Sequence, residues 1–381
     1  MNAAPPPISF APPDIDDTDV EAVTRVLRSG WLSTGEECVQ LEAELAAYLD
    51  VPHVIAVSSC TAALEIALDF QHFAPGSRVG VPTWTFAASA NAIVHAGATP
   101  VLLDIDPDTL NVDVASTAAA IESGLDALMV VHFGGLAVDR AVFDLAAGAG
   151  VPVLEDAAHA IGTTDDRGLV SGRGSLGACF SFYATKNLTS GEGGAIATHD
   201  DDLAEFARRQ RLHGLSRNAW DRYRVGADAQ YDLLEPGRKA NLPDLLAALA
   251  RTQLARFATM QARRRHIVTR YRDALAGVEG LRFVPDRPAA ESADHLCVVI
   301  LPEGVDRGEV MAAMTAEGIG TSVHFRPLHT FTWYAEQQLV GPGGVAVADA
   351  LAPRALSLPL HVGLSETDVD RVVDALARAL R

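Results

Sequence analysis

The chain has 381 residues, of which 49% are hydrophobic and 21% charged, so it can bury a sizeable core in more than one domain. Its formal net charge of −19 disfavours nonspecific binding to nucleic acid, although a few local cations can still hold an anion. The N-terminal segment lacks the basic and apolar regions of a signal peptide, and no apolar run approaches the length of a membrane span. We therefore expect a cytoplasmic protein that binds neither nucleic acid nor membrane.

The four cysteines lie far apart in the sequence. Cys38, Cys60, Cys179 and Cys297 show none of the paired spacings that bind zinc. We therefore expect buried, reduced thiols and no metal site.

Short runs rich in valine and isoleucine alternate with helical patterns in the first part of the chain. The predicted strands are 53–59, 78–82, 100–105, 127–133, 151–158, 178–184 and 193–200, with predicted helices that include 61–70 and 201–213. This alternation predicts an α/β fold with a mainly parallel central sheet covered by helices on both faces.

A second, smaller α/β pattern follows. The helical pattern at 244–276 is too long for one average helix and predicts a bend. After it come a predicted strand at 297–302, a helix at 307–318, a strand at 321–325 and a helix at 367–380. The sequence thus predicts a large domain at 1–245 and a smaller C-terminal α/β domain at 246–381.

Two sets of polar residues follow predicted strands, where α/β sheets place their ligands. Lys186 comes just after the strand at 178–184, and Glu155 and Asp156 lie near the end of the strand at 151–158. A lone lysine is usually solvated and an acid at a strand end is often a helix cap, so neither decides a function alone. Together they meet the needs of a pyridoxal 5′-phosphate (PLP) site, in which a lysine forms an imine and an acid pairs with the pyridine nitrogen.

Other residues can bind the rest of such a cofactor. Cys60 and Thr61 lie between a predicted strand and a helix, where amide groups and a hydroxyl can hold phosphate, and Ser181 offers a second hydroxyl. Trp84 and Phe86 follow the next strand, where an aromatic ring can stack on the pyridine. Each also has an ordinary structural explanation, as a helix cap or a core aromatic.

The order of these segments resembles one family over nearly the whole chain. SSCTAAL (58–64), PTWTF (82–86), EDAAHA (155–160) and FSFYATKNLTSGEGG (180–194) follow one another as they do in the DegT/DnrJ/EryC1/StrS aminotransferases. The likeness starts at 28–59 and continues through 237–254, 323–334 and 357–376. Members are PLP enzymes of fold type I that mostly act on nucleotide-linked keto-sugars, so the resemblance implies this fold and this chemistry.

Carried over by position, the resemblance implies a role for each candidate residue. Lys186 forms the Schiff base and shuttles protons, Asp156 pairs with the pyridine nitrogen, and His159 lies near the ring oxygen. Phe86 stacks on the ring, and Lys239 reaches the phosphate bound by the neighbouring subunit of a homodimer with shared active sites. The implied residues around the phosphate are Cys60, Thr61, Ala62 and Ser181. The implied substrate contacts are Trp84, Tyr183, His324, Arg326 and His329.

Several positions depart from the commonest family pattern. Cys60 stands where relatives usually have glycine, and its side chain could narrow the phosphate loop. His159 stands where many relatives have glutamine, Lys239 where many have asparagine, and Tyr183 begins a pair that replaces a commoner His-Pro. None of these changes removes an essential group.

The resemblance implies an aminotransferase that moves an amino group from glutamate (or glutamine) to a nucleotide-linked 4-keto-6-deoxyhexose carrying dTDP or UDP. The segment 323–329 looks like the version found in enzymes that aminate C4, although its polar residues could equally brace the small domain. Lys186 argues against the family branch that has histidine there and performs dehydration. The alternatives are a C3 keto-sugar, a pentose-4-ulose nucleotide or an inosose as acceptor, and a PLP-binding regulator without turnover. A nucleotide-sugar dehydrogenase is excluded because SSCTAAL contains no glycine-rich fingerprint.

Overall fold

A computed structural model describes residues 5–216, 230–285 and 292–381 of the chain. The strands are β1 (His53–Val57), β2 (Arg78–Pro82), β3 (Thr99–Leu103), β4 (Ala127–Val131), β5 (Val153–Asp156), β6 (Thr164–Asp165), β7 (Gly168–Leu169), β8 (Gly177–Ser181), β9 (Gly194–Thr198), β10 (Arg282–Val284), β11 (Cys297–Ile300) and β12 (Ala355–Leu358). The helices are α1 (Asp17–Ser29), α2 (Glu36–Leu49), α3 (Cys60–Asp69), α4 (Ala87–His95), α5 (Val114–Glu122), α6 (Arg140–Gly148), α7 (Asp201–Gln210), α8 (Asp244–Ala255), α9 (Phe257–Leu275), α10 (Arg307–Ala316), α11 (Thr332–Gln337), α12 (Ala346–Leu351) and α13 (Glu366–Ala379).

Seven strands form the central sheet, in the order β1–β9–β8–β5–β4–β2–β3. The five strands from β8 to β3 in this order run parallel, whereas β9 is antiparallel to both β8 and β1. Because β1 opposes β9 and β9 opposes β8, β1 points the same way as the parallel strands. The predicted mainly parallel sheet is confirmed, and the loops that follow β1, β2, β4, β5 and β8 meet at one edge.

Helices cover both faces of this sheet, which explains why its strands are apolar throughout. All residues of β4 and β8 are buried. On one face α3, α4 and α7 contribute core residues such as Leu64 and Phe206. On the other face α2 and α8 contribute Leu41 and Ala250. Because neither face of these strands meets solvent, their sequences do not alternate between polar and apolar residues.

The helical pattern at 244–276 divides at Arg256, so the predicted bend is confirmed. Arg256 has φ −108° and ψ 7°, which interrupts the helix between α8 and α9. Its guanidinium donates to the backbone carbonyl of Asp14 at 2.5 Å and to the carboxylate of Asp19 at 2.6 Å. These hydrogen bonds connect the interruption between α8 and α9 to the first turn of α1 and to the residues just before it.

A second sheet, of three antiparallel strands, consists of β10, β11 and β12. Helices α9, α10 and α13 pack around its core, which includes Val299. Ile8 is buried in the same core and pairs with Ile319, so the first described residues pack with the C-terminal sheet. The division of the chain into 1–245 and 246–381 stays a prediction.

The prediction of a strand at 321–325 is wrong. Within this segment only Ser322 makes a bridge, an isolated one to Ser357. His324 and Phe325 line a cleft instead. Five residues of alternating polarity are too short a pattern to distinguish a strand from an extended segment that lines a cavity.

Two negative findings apply to residues 5–216, 230–285 and 292–381. Within these ranges no helix is both long and apolar enough to cross a membrane. Nor do three or more histidine, cysteine, aspartate or glutamate side chains converge in them as a metal site would require.

Candidate active site

A cleft of about 510 Å³ opens at the carboxyl edge of the central sheet. This volume lies in the range of small-molecule sites. The predicted site residues that line it are Cys60, Thr61, Phe86, Asp156, His159, Ser181, Tyr183, Lys186 and His324. They come from five separate loops, and the sheet brings them together because the strands that precede most of them end at the same edge.

Lys186 lies in the loop that follows β8, where its backbone N–H donates to the carbonyl of Tyr183 at 2.9 Å. Burial lowers the pKa of its ammonium group to about 8, against the opposing influence of Cys60 and Asp156. A lysine of this kind exists partly as the free amine near neutral pH, which a nucleophile or proton carrier requires. The sequence contains only one other lysine, Lys239.

Asp156 is the last residue of β5 and faces the cleft. Its carboxylate accepts hydrogen bonds from the Ser89 hydroxyl at 2.7 Å and from the Ala158 amide at 3.1 Å. Burial raises the pKa of this carboxyl group, and the Ser89 hydrogen bond opposes that rise. The neighbouring Glu155 points to the other face of the strand, where it bonds His132 at 2.9 Å, so the two acids have separate roles.

The loop between β1 and α3 supplies donors at a helix N-terminus. The Ser59 hydroxyl caps α3 by accepting the amide N–H of Ala62 at 3.1 Å. The amides of Cys60 and Thr61 begin the helix and have no acceptor within it, so they are available to an anion. Gly194 packs directly against this loop, since a Cβ built there would lie 2.6 Å from the Cys60 nitrogen.

His159 lies in the cleft as a neutral ring with a defined tautomer. Burial, followed by the nearby charge of Lys186, lowers the pKa of His159 well below its ordinary value. Its Nδ1 accepts the backbone N–H of Gly134 at 3.2 Å. Because Nδ1 is an acceptor, the single proton of the neutral ring is on Nε2, which can donate to a bound group.

The sequence model of one family, the DegT/DnrJ/EryC1/StrS aminotransferases, matches residues 13–377. This chain belongs to that family. The spore coat polysaccharide biosynthesis protein SpsC of Bacillus subtilis is 42% identical over 376 residues, which are 97% of this chain and 96% of that protein.

Solved structures agree with this assignment. A protein of Streptococcus pneumoniae, solved in PLP and PMP forms, is 30% and 29% identical, with a TM-score of 0.89 and 98% of both chains covered. A sugar aminotransferase of Micromonospora echinospora is 29% identical, with a TM-score of 0.86, 97% of this chain and 99% of that chain covered. Members of the family are PLP-dependent sugar aminotransferases, and so this chain is a PLP-dependent transaminase of fold type I.

The donor set at the cleft fits the family's cofactor. A buried carboxylate at Asp156, an amine at Lys186 and a helix N-terminus at Thr61 match the pyridine nitrogen, the aldehyde carbon and the phosphate of PLP. Phe86 is 62% exposed, an unusual state for a phenylalanine, and its ring lines the cleft where it can cover a pyridine. These are the residues that would hold the cofactor.

The structure corrects two predicted contacts near the start of α3 and α4. The amide of Ala62 is used by the Ser59 cap, and Ala62 does not line the cleft. Trp84 is wrong as a substrate contact because its side chain is fully buried in the core between the two sheets. Its indole N–H donates to the carbonyl of His324 at 3.2 Å and so supports the cleft wall from behind.

The segment 323–329 divides into two parts. His324 lines the cleft, and burial lowers the pKa of its ring to about 4. Arg326 is exposed, bonds the Thr330 hydroxyl at 2.8 Å and does not line the cleft. His329 bonds the hydroxyl of Thr83 at 2.8 Å and the carboxylate of Asp349 at 2.9 Å. Within this chain Arg326 and His329 therefore make bracing contacts, and their predicted contacts with substrate stay predictions.

Lys239 lies outside the cleft of its own chain. Its side chain is exposed, and its Nζ bonds the amide oxygen of Asn241. This position leaves the predicted contact with a neighbouring subunit as a prediction.

Several residues that line the cleft were not predicted. Thr185 and Glu192 lie in the segment that was already recognised, beside Lys186 and within the GEGG turn, and that motif was the available signal. His295 comes from the segment that precedes β11, and Phe325 comes from the segment after α10. Nothing in their local sequence indicates that they approach β5 and β8, because that contact depends on the packing of distant segments.

Proposed function

We propose that this enzyme moves the amino group of glutamate to the C4 ketone of a nucleotide-linked 4-keto-6-deoxyhexose, carrying dTDP or UDP, in aminosugar biosynthesis in the cytoplasm. The observation that carries the proposal is the open cleft in which Lys186 and Asp156 lie together with neutral hydrogen-bonding side chains. The family assignment and the part that SpsC takes in spore coat polysaccharide biosynthesis support an aminosugar product.

Bound PLP supplies an electron sink that lets a carbon–hydrogen bond next to the amino nitrogen release its proton. The residues of the chain act around that chemistry. Asp156 holds a negative charge at the end of β5, Thr61 and Ser181 offer hydroxyl groups, and His159 presents an N–H. Lys186 carries the proton at Nζ from the donor carbon to its acceptor, and in the second half-reaction it carries a proton in the reverse direction.

Neutral imidazoles suit the recognition of a sugar. His159 and His324 line the cleft, and burial lowers the pKa of both rings, so both are uncharged. Nδ1 of each ring already has a partner in the chain, which leaves Nε2 of each ring for a bound group. Glu192 is exposed at the cleft and can accept hydrogen bonds from hydroxyl groups. Hydroxyl groups of a hexose need donors and acceptors of this kind more than they need ions.

A homodimer with shared active sites is part of the proposal. Glutamate and a phosphate together bring several negative charges, yet among the described residues that line the cleft the only lysine or arginine is Lys186. Further cations must therefore come from outside this set, and Lys239 of a second copy is our candidate for the phosphate. Equilibrium sedimentation tests the assembly, and a stable monomer with full activity would contradict it.

The first test records the absorption spectrum of the PLP-loaded enzyme before and after glutamate is added. We expect the absorption of the bound cofactor to shift to that of its amine form in the wild type, with 2-oxoglutarate released in equal amount. Lys186→Ala is expected to lack the wild-type band. An unchanged wild-type spectrum with glutamate and with glutamine would refute the donor assignment.

The second test uses the amine-loaded enzyme and a panel of ketones, followed by mass spectrometry of the products. The panel contains dTDP- and UDP-4-keto-6-deoxyhexoses, a 3-keto isomer, a pentose-4-ulose nucleotide and an inosose. We expect the 4-keto-6-deoxyhexoses to be aminated fastest. A faster reaction with any other member would replace the proposed acceptor while leaving the glutamate half-reaction intact.

A further inference from the structure

Asn187 is a buried amide that directly follows Lys186, and the sequence suggested no role for it. A polar side chain buried at this point must find its hydrogen bonds within the protein. Those bonds go to residues that are distant in the sequence, in α9 and in the segment that precedes β11. Asn187 therefore connects the loop that contains Lys186 to a second segment that lines the cleft.

Two contacts fix the orientation of the Asn187 amide. Its N–H₂ group donates to the backbone carbonyl of Ala293 at 2.7 Å and to the side-chain oxygen of Gln261 at 3.2 Å. The nitrogen of Gln261 donates to the same carbonyl at 2.5 Å, so its oxygen is the atom that faces Asn187. Because a carbonyl oxygen can only accept, the nitrogen of Asn187 lies on this side and its oxygen on the other.

The oxygen of Asn187 determines which nitrogen of His295 carries the proton. It lies 2.9 Å from Nδ1 of His295, and since an amide oxygen accepts, Nδ1 is the donor. Burial lowers the pKa of His295 well below its ordinary value, and the neighbouring His159 and Lys186 lower it further, so the ring has only this one proton. Nε2 of His295 therefore carries a lone pair.

The ring of His295 lines the cleft next to that of His159, with the centroids 4.3 Å apart and the planes inclined by 38°. Nδ1 of His159 accepts the N–H of Gly134, whereas Nδ1 of His295 donates to Asn187, so the two rings have opposite tautomers. In each ring Nε2 is the nitrogen left for a bound ligand. It is a donor in His159 and an acceptor in His295.

We propose that Asn187 is a positioning residue that holds His295 with Nε2 unprotonated, so that the cleft offers a fixed hydrogen-bond acceptor to a donor group of the substrate. The inference rests on the proposed function, whose substrates bring two kinds of donor, the ammonium group of glutamate and the hydroxyl groups of the sugar. His159 cannot accept from either, because its Nε2 is protonated. Asp156 already accepts hydrogen bonds from Ser89 and Ala158.

The first test is nitrogen-15 NMR of the histidine rings in the PLP-loaded enzyme, which reports the protonated nitrogen of each ring. The resonances of His295 are those that are missing from His295→Phe. We expect the wild-type proton of His295 on Nδ1. Asn187→Leu removes the acceptor, and because a buried N–H without a partner is costly, the proton should move to Nε2. A wild-type proton on Nε2, or an unchanged tautomer in folded Asn187→Leu, would overturn the proposal.

Two further variants separate the acceptor from packing. Asn187→Asp keeps an oxygen against Nδ1 of His295 but loses the N–H₂ donor, and we expect the proton to stay on Nδ1. Asn111→Leu is the matched control, since Asn111 is a buried amide that donates to the carbonyl oxygens of Leu136 and Ala137. This control should leave the tautomer of His295 unchanged. If it moved the proton as Asn187→Leu does, the effect would be one of loosened packing and the proposal would be wrong.

The second test identifies the substrate group that uses the acceptor, by following the two half-reactions of Asn187→Leu in single turnovers. One starts from the PLP-loaded enzyme and glutamate, the other from the amine-loaded enzyme and whichever ketone the wild type aminates fastest. Loss of a hydrogen bond to a neutral acceptor should slow the affected half-reaction about tenfold. An effect with glutamate assigns the acceptor to the ammonium group, and an effect with the ketone assigns it to a hydroxyl group.

The kinetic result can also contradict the proposal. If neither half-reaction slowed although the tautomer had moved, the acceptor would have no part in the reaction. An equal loss in Asn187→Asp, which keeps the tautomer, would reduce Asn187 to an attachment of the Lys186 loop. A wild type that does not react with glutamate would refute the proposed amino donor, whereas the NMR result would still decide whether Asn187 sets the tautomer of His295.

Discussion

The loops after β5 and β8 and the segment 323–329 both contribute to the cleft, but they do so by different physical means. In the loops, parallel strands end at one edge, so the last residues of a strand and the loop that follows it lie at the cleft. Asp156 is the last residue of β5, and Lys186 lies in the loop that follows β8. In the segment, neighbouring residues diverge: His324 lines the cleft, whereas Arg326 and His329 bond Thr330, Thr83 and Asp349.

The two regions differ in how strongly backbone hydrogen bonds fix the direction of their side chains. A residue at the end of a central strand has its direction set by the hydrogen-bond ladder on both sides, so its sequence position predicts its place. An extended segment without strand partners is directed by whatever it packs against. The chemistry of the cleft is therefore concentrated in the strand loops, while the segment supplies one wall and braces it.

The largest effect is expected from Lys186→Met, which removes the amine from the loop after β8. We expect kcat/KM to fall by about 10⁴-fold, the contribution of a proton carrier that also bonds the cofactor. Steady-state kinetics with glutamate measures this, after circular dichroism has shown that the variant is folded. A loss of less than tenfold would contradict the role of Lys186.

The same variant should be more stable than the wild type without cofactor. Burial lowers the pKa of Lys186 from 10.5 to about 8, so between these values the unfolded chain binds more protons than the folded one. Stability from this group therefore rises as pH rises through that window, and below pH 8 its burial is a full cost. We expect Lys186→Met to gain about 2 kcal/mol at pH 7 and to lose this advantage towards pH 10.5.

Urea unfolding at the two pH values measures this gain. Lys239→Met is the matched control, because Lys239 is exposed and its replacement should change stability by no more than about 0.5 kcal/mol. Equal stability of Lys186→Met and wild type at pH 7 would contradict the lowered pKa.

The comparison also shows what could be predicted from the sequence. The continuous apolar runs that form strands such as β4 and β8 predicted the central sheet. A strand whose two faces are both covered by helices has apolar residues at every position. Lys186 and Asp156 followed from their positions after or near the end of such strands, and Thr61 from its place at the start of a helix. The resemblance to the family added the role of His159. All four line the cleft.

Other features depended on packing that no local pattern encodes. Trp84 and Phe86 are two residues apart and both aromatic, yet one is fully buried and the other 62% exposed. Trp84 packs in a core cluster with residues that are distant in sequence, such as Leu296, and its indole N–H donates to the carbonyl of His324, a contact across 240 residues of sequence. His295 was missed for the same reason, since its bond to Asn187 joins the loop after β8 to the segment that precedes β11.

The second prediction concerns Asp156. Burial raises the pKa of its carboxyl group, and the hydrogen bond from Ser89 opposes that rise. Asp156→Asn is expected to lower kcat by about 10³-fold, because a neutral amide cannot hold a proton on a pyridine nitrogen. Ser89→Ala should cost about tenfold, since it removes one hydrogen bond to the charged carboxylate. Loss of that bond raises the pKa of Asp156 further, so the acid limb of the pH–rate profile should move to higher pH. If the acid limb of the profile did not move in Ser89→Ala, the proposed effect of Ser89 on the pKa of Asp156 would be wrong.

The third prediction tests the close approach of β9 to the phosphate loop. Gly194→Ala places a Cβ 2.6 Å from the Cys60 nitrogen and 2.7 Å from the carbonyl oxygen of Phe180, so a backbone segment must shift. We expect a loss of about 2 kcal/mol in unfolding free energy and weaker PLP binding. Gly148→Ala, at the end of α6 with open space around it, is the matched control and should be neutral or stabilising. Equal behaviour of the two variants would show that the loop tolerates the shift.

The smallest effects are expected in the segment 323–329. They test most directly whether His324 lines the cleft while Arg326 and His329 brace the segment. Arg326→Ala removes an exposed contact with Thr330 and should cost no more than about 1 kcal/mol, with KM for the sugar unchanged within about twofold. His329→Ala breaks bonds to Thr83 and Asp349 and should cost about 1–2 kcal/mol of stability, again without a change in KM. His324→Ala, by contrast, should raise KM. If Arg326→Ala raised KM more than tenfold, the segment would have to act on a cleft other than the one its own chain forms, and the bracing interpretation would be wrong.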